Sequence, residues 1–314
     1  MKFKKLSSVF LIMAVTASMA GCSKNTDTEN EKTTLRVGVM SSIDALPFVI
    51  AKENGYYKDE GITLNLQIFN SAGNRDAALQ AGTLDGVLCD EVAISIYKNS
   101  GIDMKITGTT TGLWTLVAGK DSGITQIKDI AQKKVGISQN TMIDYLADYI
   151  VTANGMKADD INKIAIPAMP ARMEALKNNQ IDAAILPAPF NDNAIAAGGK
   201  SVVKISNDDI MLSVTAFSED AITNKTDKIK SFYKAYNKAV DYINNTDISK
   251  YEDLVIKTVG YSEDMKGNIK LPKFKKNYLP ASENVQNVIN WSKGRGLLTK
   301  DVKAKDLMSD VGIK

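Results

Sequence analysis

The sequence predicts an α/β protein of two lobes, each built on a mostly parallel sheet, and three observations carry that prediction. A strand, helix, strand, helix, strand unit runs from Leu35 to Glu91. The same order of elements returns about a hundred residues later. Four identities keep one spacing between the copies: Arg75, Ala78, Leu79 and Asp85 recur at Arg172, Ala175, Leu176 and Asp182, each 97 residues on. Open α/β sheets bind ligands outside the carboxyl ends of their strands, so two such lobes facing each other imply a cleft.

The first copy opens on the apolar run Leu35 to Met40 and passes through Ser41-Ser42-Ile43-Asp44 into a helix predicted from Ala45 to Asn54, which Gly55 stops. Ile62, Leu64, Leu66 and Ile68 alternate with polar residues, the period of a strand. After Asn70 to Asn74, a helix runs from Arg75 to Ala81, and Leu84 to Cys89 closes the unit as a third strand. The second copy reads as a strand at Val135 to Ile137, a helix from Met142 to Ala153, a strand at Ile164 to Ile166, a helix at Arg172 to Leu176 and a strand at Ile181 to Ile185. Asp85 and Asp182 precede buried strands in both copies and read as structural turn residues.

Between the copies, Val92 to Asn99 is a short helix, Met104 to Thr107 a fourth strand, and Gly108 to Gly112 a polar turn feeding the apolar run Leu113 to Ala118. The chain must cross between lobes twice, and the runs near Leu116 to Lys120 and Met211 to Ala216 are the expected hinge strands. Ile229, Phe232, Tyr233, Tyr236, Val240 and Ile243 give Lys228 to Asn245 an amphipathic helical pattern. Helices at Ser249 to Val259 and Ser282 to Lys293 follow and close lobe one. Lobe one is therefore discontinuous, residues 34–118 and 212–314, and lobe two takes residues 119–211.

Residues 1–22 have the form of a secretory signal, with Lys2, Lys4 and Lys5 before an apolar core and small residues before Cys22. Met19-Ala20-Gly21-Cys22 resembles a bacterial lipobox, which implies lipid on Cys22 and a chain held at the membrane on its extracytoplasmic face. Residues 23–33 are polar without apolar periodicity and read as a flexible tether. With the three signal lysines removed, 36 bases face 36 acids, so no charge excess points to nucleic acid or another polyanion. Four of the 39 bases are Arg, and two of those, Arg75 and Arg172, sit at matching helix starts. Cys89, at the end of an apolar run, reads as a buried, inert thiol and leaves no disulfide within the chain once Cys22 is used.

No His occurs in the chain, so Ser-His-Asp and Cys-His catalysis and common zinc ligation are excluded. Neither a Walker-type phosphate loop nor a dinucleotide fingerprint is present. No cofactor is expected, and the chain is read as a binding protein rather than an enzyme.

Leu46-Pro47, the stretch Ala51 to Ile62, and Ala78 to Asp85 resemble the pattern of ABC-transporter solute-binding proteins of the nitrate, sulfonate, taurine and thiamine-pyrimidine-precursor group. Ile127 to Gly136 is similar to that group's passage into its second lobe. The resemblance covers Leu35 to Lys204 well and the C-terminal helices loosely. It implies a type II periplasmic-binding fold, two lobes joined by two hinge strands, working as a monomer that delivers a small solute to an ABC permease and its ATPase. The solute would be a sulfonate, an amino-sulfonate or a heterocyclic vitamin precursor. A ligand-sensing lipoprotein that presents to a membrane receptor is the alternative of another class. A third, a pyrimidine-synthase-like enzyme of the same superfamily, needs a His that this chain lacks.

The loops at strand ends supply the candidate contacts: Ser41, Ser42 and Asp44 after the first strand, Ser71, Gly73, Asn74 and Arg75 after the second, and Asp90 after the third. Thr110 and Trp114 stand near the first crossing, and Ser138, Asn140, Thr141, Met169 and Pro187 belong to the second copy. The helix-start loops around Arg75 and from Ser138 to Thr141 could present backbone N–H groups to a ligand or simply cap their helices. Trp114 could stack on a planar ligand or fill the core, and Trp291, with Val285, Val288 and Ile289, is read as packing. Asp44, Asp90 and Glu91 either form a solvated rim or argue for a solute with amine or amide edges beside its acceptors.

Overall fold

The computed structural model describes residues 34–207, 210 and 213–313. The signal, Cys22, the tether, Met211 and Leu212 lie outside the described residues. In chain order the elements are β1 (Thr34–Met40), α1 (Leu46–Glu53), α2 (Tyr56–Asp59), β2 (Thr63–Phe69), α3 (Ala72–Gln80), β3 (Gly86–Cys89), α4 (Glu91–Asn99), β4 (Met104–Thr109) and β5 (Leu113–Ala118). They continue as β6 (Lys134–Ile137), α5 (Met142–Ala153), β7 (Asn162–Ala165), α6 (Met169–Lys177), β8 (Ala183–Pro187), α7 (Phe190–Ala196), β9 (Lys200–Ser206) and β10 (Val214–Ser218). The last helices are α8 (Glu219–Asn224), α9 (Thr226–Asn245), α10 (Glu252–Val259) and α11 (Ser282–Gly294).

Two five-stranded sheets result, ordered β2-β1-β3-β10-β4 and β7-β6-β8-β5-β9. In each, the first three strands run parallel and the fourth is antiparallel to both neighbours. The fourth strand comes from the far side of the chain crossing in both sheets, β10 in the first and β5 in the second. That exchange corrects the lobe boundary expected after residue 118. β5 pairs throughout with β8 and β9, from Leu113↔Ser206 to Ala118↔Ala183, and so belongs to the second lobe. The first crossing is therefore the short segment 110–112, not the apolar run at Leu116 to Lys120; of the second expected hinge, Val214 to Ala216 belong to β10 in the first sheet, and Met211 and Leu212 are outside the described residues. Asn207 ties the crossings together: its Nδ2 donates to the Thr110 carbonyl at 2.6 Å and its Oδ1 accepts from the Gly112 amide at 3.2 Å.

The repeated aspartates do the same work in both lobes. Asp85 Oδ2 accepts from the Arg36 amide at 2.9 Å, and Asp182 Oδ2 accepts from the Lys134 amide at 2.7 Å, each closing the start of the inner parallel strands. Asp85 is further paired with Arg36 at 2.6 Å and Lys225 at 3.0 Å. Burial would raise its carboxyl, but the Arg36 and Lys225 contacts hold it below the ordinary value.

The cores form where the periodicity places them. Leu35, Val37 and Val39 of β1 meet Phe48 and Ile50 of α1 and Phe232, Tyr233 and Tyr236 of α9. Phe48 stacks on Phe232 with ring centroids 5.4 Å apart. Burying a ring of that size stabilises by about 1.5–3 kcal/mol, so the amphipathic face of α9 is what clamps lobe one shut around β1. In lobe two, Leu116, Val135, Ile137, Leu146, Ile150 and Ile185 make the corresponding core. Val92 of α4 and Val288 of α11 reach into that second core from lobe one.

Candidate functional site

A cavity of about 70 Å³ lies between the lobes, lined from both sides by the carboxyl ends of parallel strands. Met40, Leu88 and Cys89 come from β1 and β3, and Ser138, Pro167 and Pro187 follow β6, β7 and β8 or end them. Chain geometry alone dictates this place, because the strand carboxyl ends of both sheets point at the gap.

Of the residues singled out in the sequence, Ser42, Asp44, Arg75, Asp90, Trp114, Ser138, Thr141, Met169 and Pro187 line the cavity together. Six do not. Ser41 is turned to the Val259 carbonyl at 3.1 Å, and Ser71 caps α3 by accepting from the Asn74 amide at 3.3 Å. Gly73, Asn74 and Asn140 are exposed. Thr110 is spent on the Asp44 carbonyl at 2.8 Å, while Tyr236 donates to its hydroxyl at 3.0 Å. Met40, Ala72, Leu88, Cys89, Met142, Ile143, Pro167, Arg172 and Ser213 line the cavity without having been named as candidate contacts. Most are apolar and carry no chemical signal; Arg172 carried one in its match to Arg75.

Arg75 is not at a helix start, as the sequence suggested, because Ser71 begins α3 four residues earlier. A turn into the helix, its side chain reaches the interior and is 2% exposed. Its Nη2 pairs with Asp76 at 2.8 Å, its Nη1 donates to the Leu88 carbonyl at 3.0 Å, and Tyr97 stands 3.3 Å away. Burial pulls this guanidinium down, but Tyr97 and Asp76 hold it above the ordinary value. Arg172 is as buried, at 1%, and its surroundings differ. Nε donates to the Ile185 carbonyl at 3.1 Å and Nη1 to the Ile166 carbonyl at 2.7 Å. Burial alone lowers its pKa to about 10. Glycine makes both placements feasible. A Cβ on Gly136 would come within 3.2 Å of the Arg172 stem and 2.5 Å of Ile181.

The acidic residues are no solvated rim. Asp44 is buried, accepts from the Ser42 hydroxyl, and accepts from the Ser213 hydroxyl at 2.5 Å; burial raises its carboxyl while these hydroxyls pull it back. Asp90 caps α4 through the Ala93 amide at 2.9 Å. Burial raises Asp90 as well, opposed by the charge of Arg75. Glu91 is 1% exposed, and neither carboxylate oxygen has a hydrogen-bond partner among the described residues. Burial pushes its pKa up to about 8.

Contacts on three further sides close the gap. The Ile43 amide donates to the Ala188 carbonyl at 2.8 Å, and the Met169 amide to the Asn70 carbonyl at 3.3 Å. Asn193 Nδ2 donates to the Gly260 carbonyl at 3.0 Å and its Oδ1 accepts from the Ser262 hydroxyl at 3.0 Å. Trp291, expected only to pack, donates its indole N–H to Asp148 of α5 at 2.9 Å. Trp114 is 7% exposed and presents part of its ring to the cavity. Cys89 is a free buried thiol, pushed well up by burial, which fits the inert reading.

A putative ABC transporter periplasmic binding protein of Brachyspira hyodysenteriae is 24% identical over 76% of this chain and 74% of its own. The ligand binding component of an ABC-type import system from Staphylococcus aureus superposes with a TM-score of 0.73 at 16% identity, covering 90% of this chain and 98% of that one. The periplasmic aliphatic sulphonate binding protein SsuA from Escherichia coli gives 0.71 at 16%, covering 88% and 97%. The fold is thus that of periplasmic binding proteins, two lobes with a cleft between them. The profile of the NMT1-like family matches residues 28–253, and the chain belongs to that family.

Proposed function

We propose that this protein is the solute-binding component of an ABC importer, held outside the cytoplasm by lipid on Cys22, and that it captures a small polar organic solute between its lobes. The observation that carries the reading is the cavity itself, closed between two sheets and lined from both by polar side chains. Its size suits one small solute, and its mixture of Arg, Asp, Ser and Trp suits a sulfonate, an amino-sulfonate or a heterocyclic vitamin precursor. Ser42, Asp44, Arg75, Asp90, Trp114, Ser138, Thr141, Met169 and Pro187 are the proposed lining contacts. The relatives named as ABC transporter and import-system components support the partner, a permease with its ATPase. The protein binds and releases its solute unchanged, a reading supported by the relatives named as binding proteins. No helix among the described residues is long and apolar enough to cross a membrane; the lipobox-like Met19-Ala20-Gly21-Cys22 supports attachment at Cys22.

Uptake of the copurifying solute by cells with and without the protein tests this reading. Loss of uptake in the deletion, restored by the wild-type chain, is expected. Full uptake without it would favour a sensor that moves nothing.

A further inference from the structure

The two arginines at matching positions of the repeats are equally buried and differently balanced. Arg75 has Asp76 beside it in sequence and in space, at 2.8 Å. The position after Arg172 is Met173, and no carboxylate lies within ion-pair reach of Arg172 among the described residues. Its guanidinium is held by backbone carbonyls, Ile185 at 3.1 Å, Ile166 at 2.7 Å and Pro167 at 3.5 Å. Nη2 has no acceptor at all among the described residues. The side chain lines the cavity. Beside it, the Ser138 hydroxyl also lines the cavity and has no hydrogen-bond partner among the described residues.

An isolated buried cation is costly, and proteins hold one only where a counter-charge or a set of hydrogen bonds offsets it. Carbonyl dipoles supply part of that offset here and leave one edge of the fork open. The carboxylates of the same cavity are engaged elsewhere: Asp44 with the hydroxyls of Ser42 and Ser213, Asp90 with the amide of Ala93. The free Nη2 of such a guanidinium is a charge-assisted donor suited to an oxygen of a carboxylate or sulfonate. Resting on the cavity being a solute site, we infer that Arg172 is the counter-ion of that site: the solute carries an oxyanion group and lays it on Nη2 of Arg172, with the Ser138 hydroxyl as a second donor. Arg75 then holds lobe one together and leaves recognition of charge to lobe two.

Protein stripped of copurifying solute by urea and dialysis is titrated calorimetrically with four probes: methanesulfonate, acetate, neutral dimethyl sulfone and methylammonium. The wild type should bind one or both anions and take the neutral and cationic probes at least about tenfold more weakly. Arg172→Gln should lower anion affinity by about 10- to 100-fold while leaving dimethyl sulfone unchanged, and Arg172→Lys should recover part of the loss. Which anion binds more tightly separates a carboxylate from a sulfonate. If Arg172→Gln does not fold, the wild-type discrimination and the Lys variant decide. Dimethyl sulfone or methylammonium binding as tightly as the anions, or anion affinity unchanged in Arg172→Gln, overturns the counter-ion role and leaves the cavity a solute site. If none of the four binds the wild type, both readings fall.

Discussion

Trp291 of lobe one donates its indole N–H to Asp148 of lobe two at 2.9 Å, beside the pairs that Lys163 makes with Asp148 at 2.5 Å and Asp144 at 2.6 Å. Tyr145 meets the same indole edge-on at 5.4 Å, and Arg295 lies 5.6 Å over it. The lobes are therefore joined by a polar, largely buried cluster with Arg295 at its open edge, a contact that can be made and broken as a cleft closes and opens.

Trp291→Phe keeps a ring against Tyr145 and removes the donor. A hydrogen bond to a charged acceptor contributes about 1.5–3 kcal/mol, so the open form should gain population. Small-angle scattering of the solute-free variant should give a larger radius of gyration than wild type, and solute affinity should fall. Equal radii and equal affinities would show that this contact does not hold the lobes.

Glu91 makes stability depend on pH in a defined direction. Its carboxyl stands at an ordinary 4.5 in the unfolded chain and at about 8 in the fold, because burial disfavours the charge. Between those values the folded protein keeps a proton that the unfolded chain has lost. Stability from this group is thus full below about 4.5 and is lost as pH rises towards about 8, by on the order of 1 kcal/mol per pH unit. Glu91→Gln should flatten that slope and be more stable than wild type at pH 8, by urea midpoints measured at about pH 5, 6.5 and 8. Parallel pH profiles for the two proteins would remove Glu91 as the cause.

Cys22→Ala tests the anchor. Membrane fractionation and fatty-acid labelling should show the variant unlabelled and released from the membrane fraction. A variant as labelled and as membrane-bound as wild type would mean that attachment lies elsewhere.

The repeat was legible because its marker residues answer local backbone needs. Asp85 and Asp182 each accept the amide that opens the neighbouring strand, and Gly55 ends its helix region with a left-handed φ of 76°. The sheet assignment of β5 was not legible. Leu113 to Ala118 is an apolar run suited to either lobe, and only its distant partners Pro187 and Ser206 place it. The start of α3 was missed for a different reason. Ala72-Gly73-Asn74 reads as a loop by propensity, yet Ser71 caps it as the first turn. That shift of one turn moves Arg75 from the start of the helix to its second turn, where its side chain is buried. The contrast between the two arginines was present in the sequence as Asp76 against Met173, and it acquires meaning only once both side chains are known to be buried beside one cavity.

A small solute filling the space between the two sheets is what links the cavity to the proposed transport role. Mass spectrometry of small molecules released by denaturing the protein, purified from its own cells, measures this most directly, with Ser138→Trp as the companion because a large ring there would occupy the cavity. The account predicts one solute near equimolar with the wild-type protein and its absence from a folded Ser138→Trp. The same solute in both proteins, or none in the wild type, would contradict it.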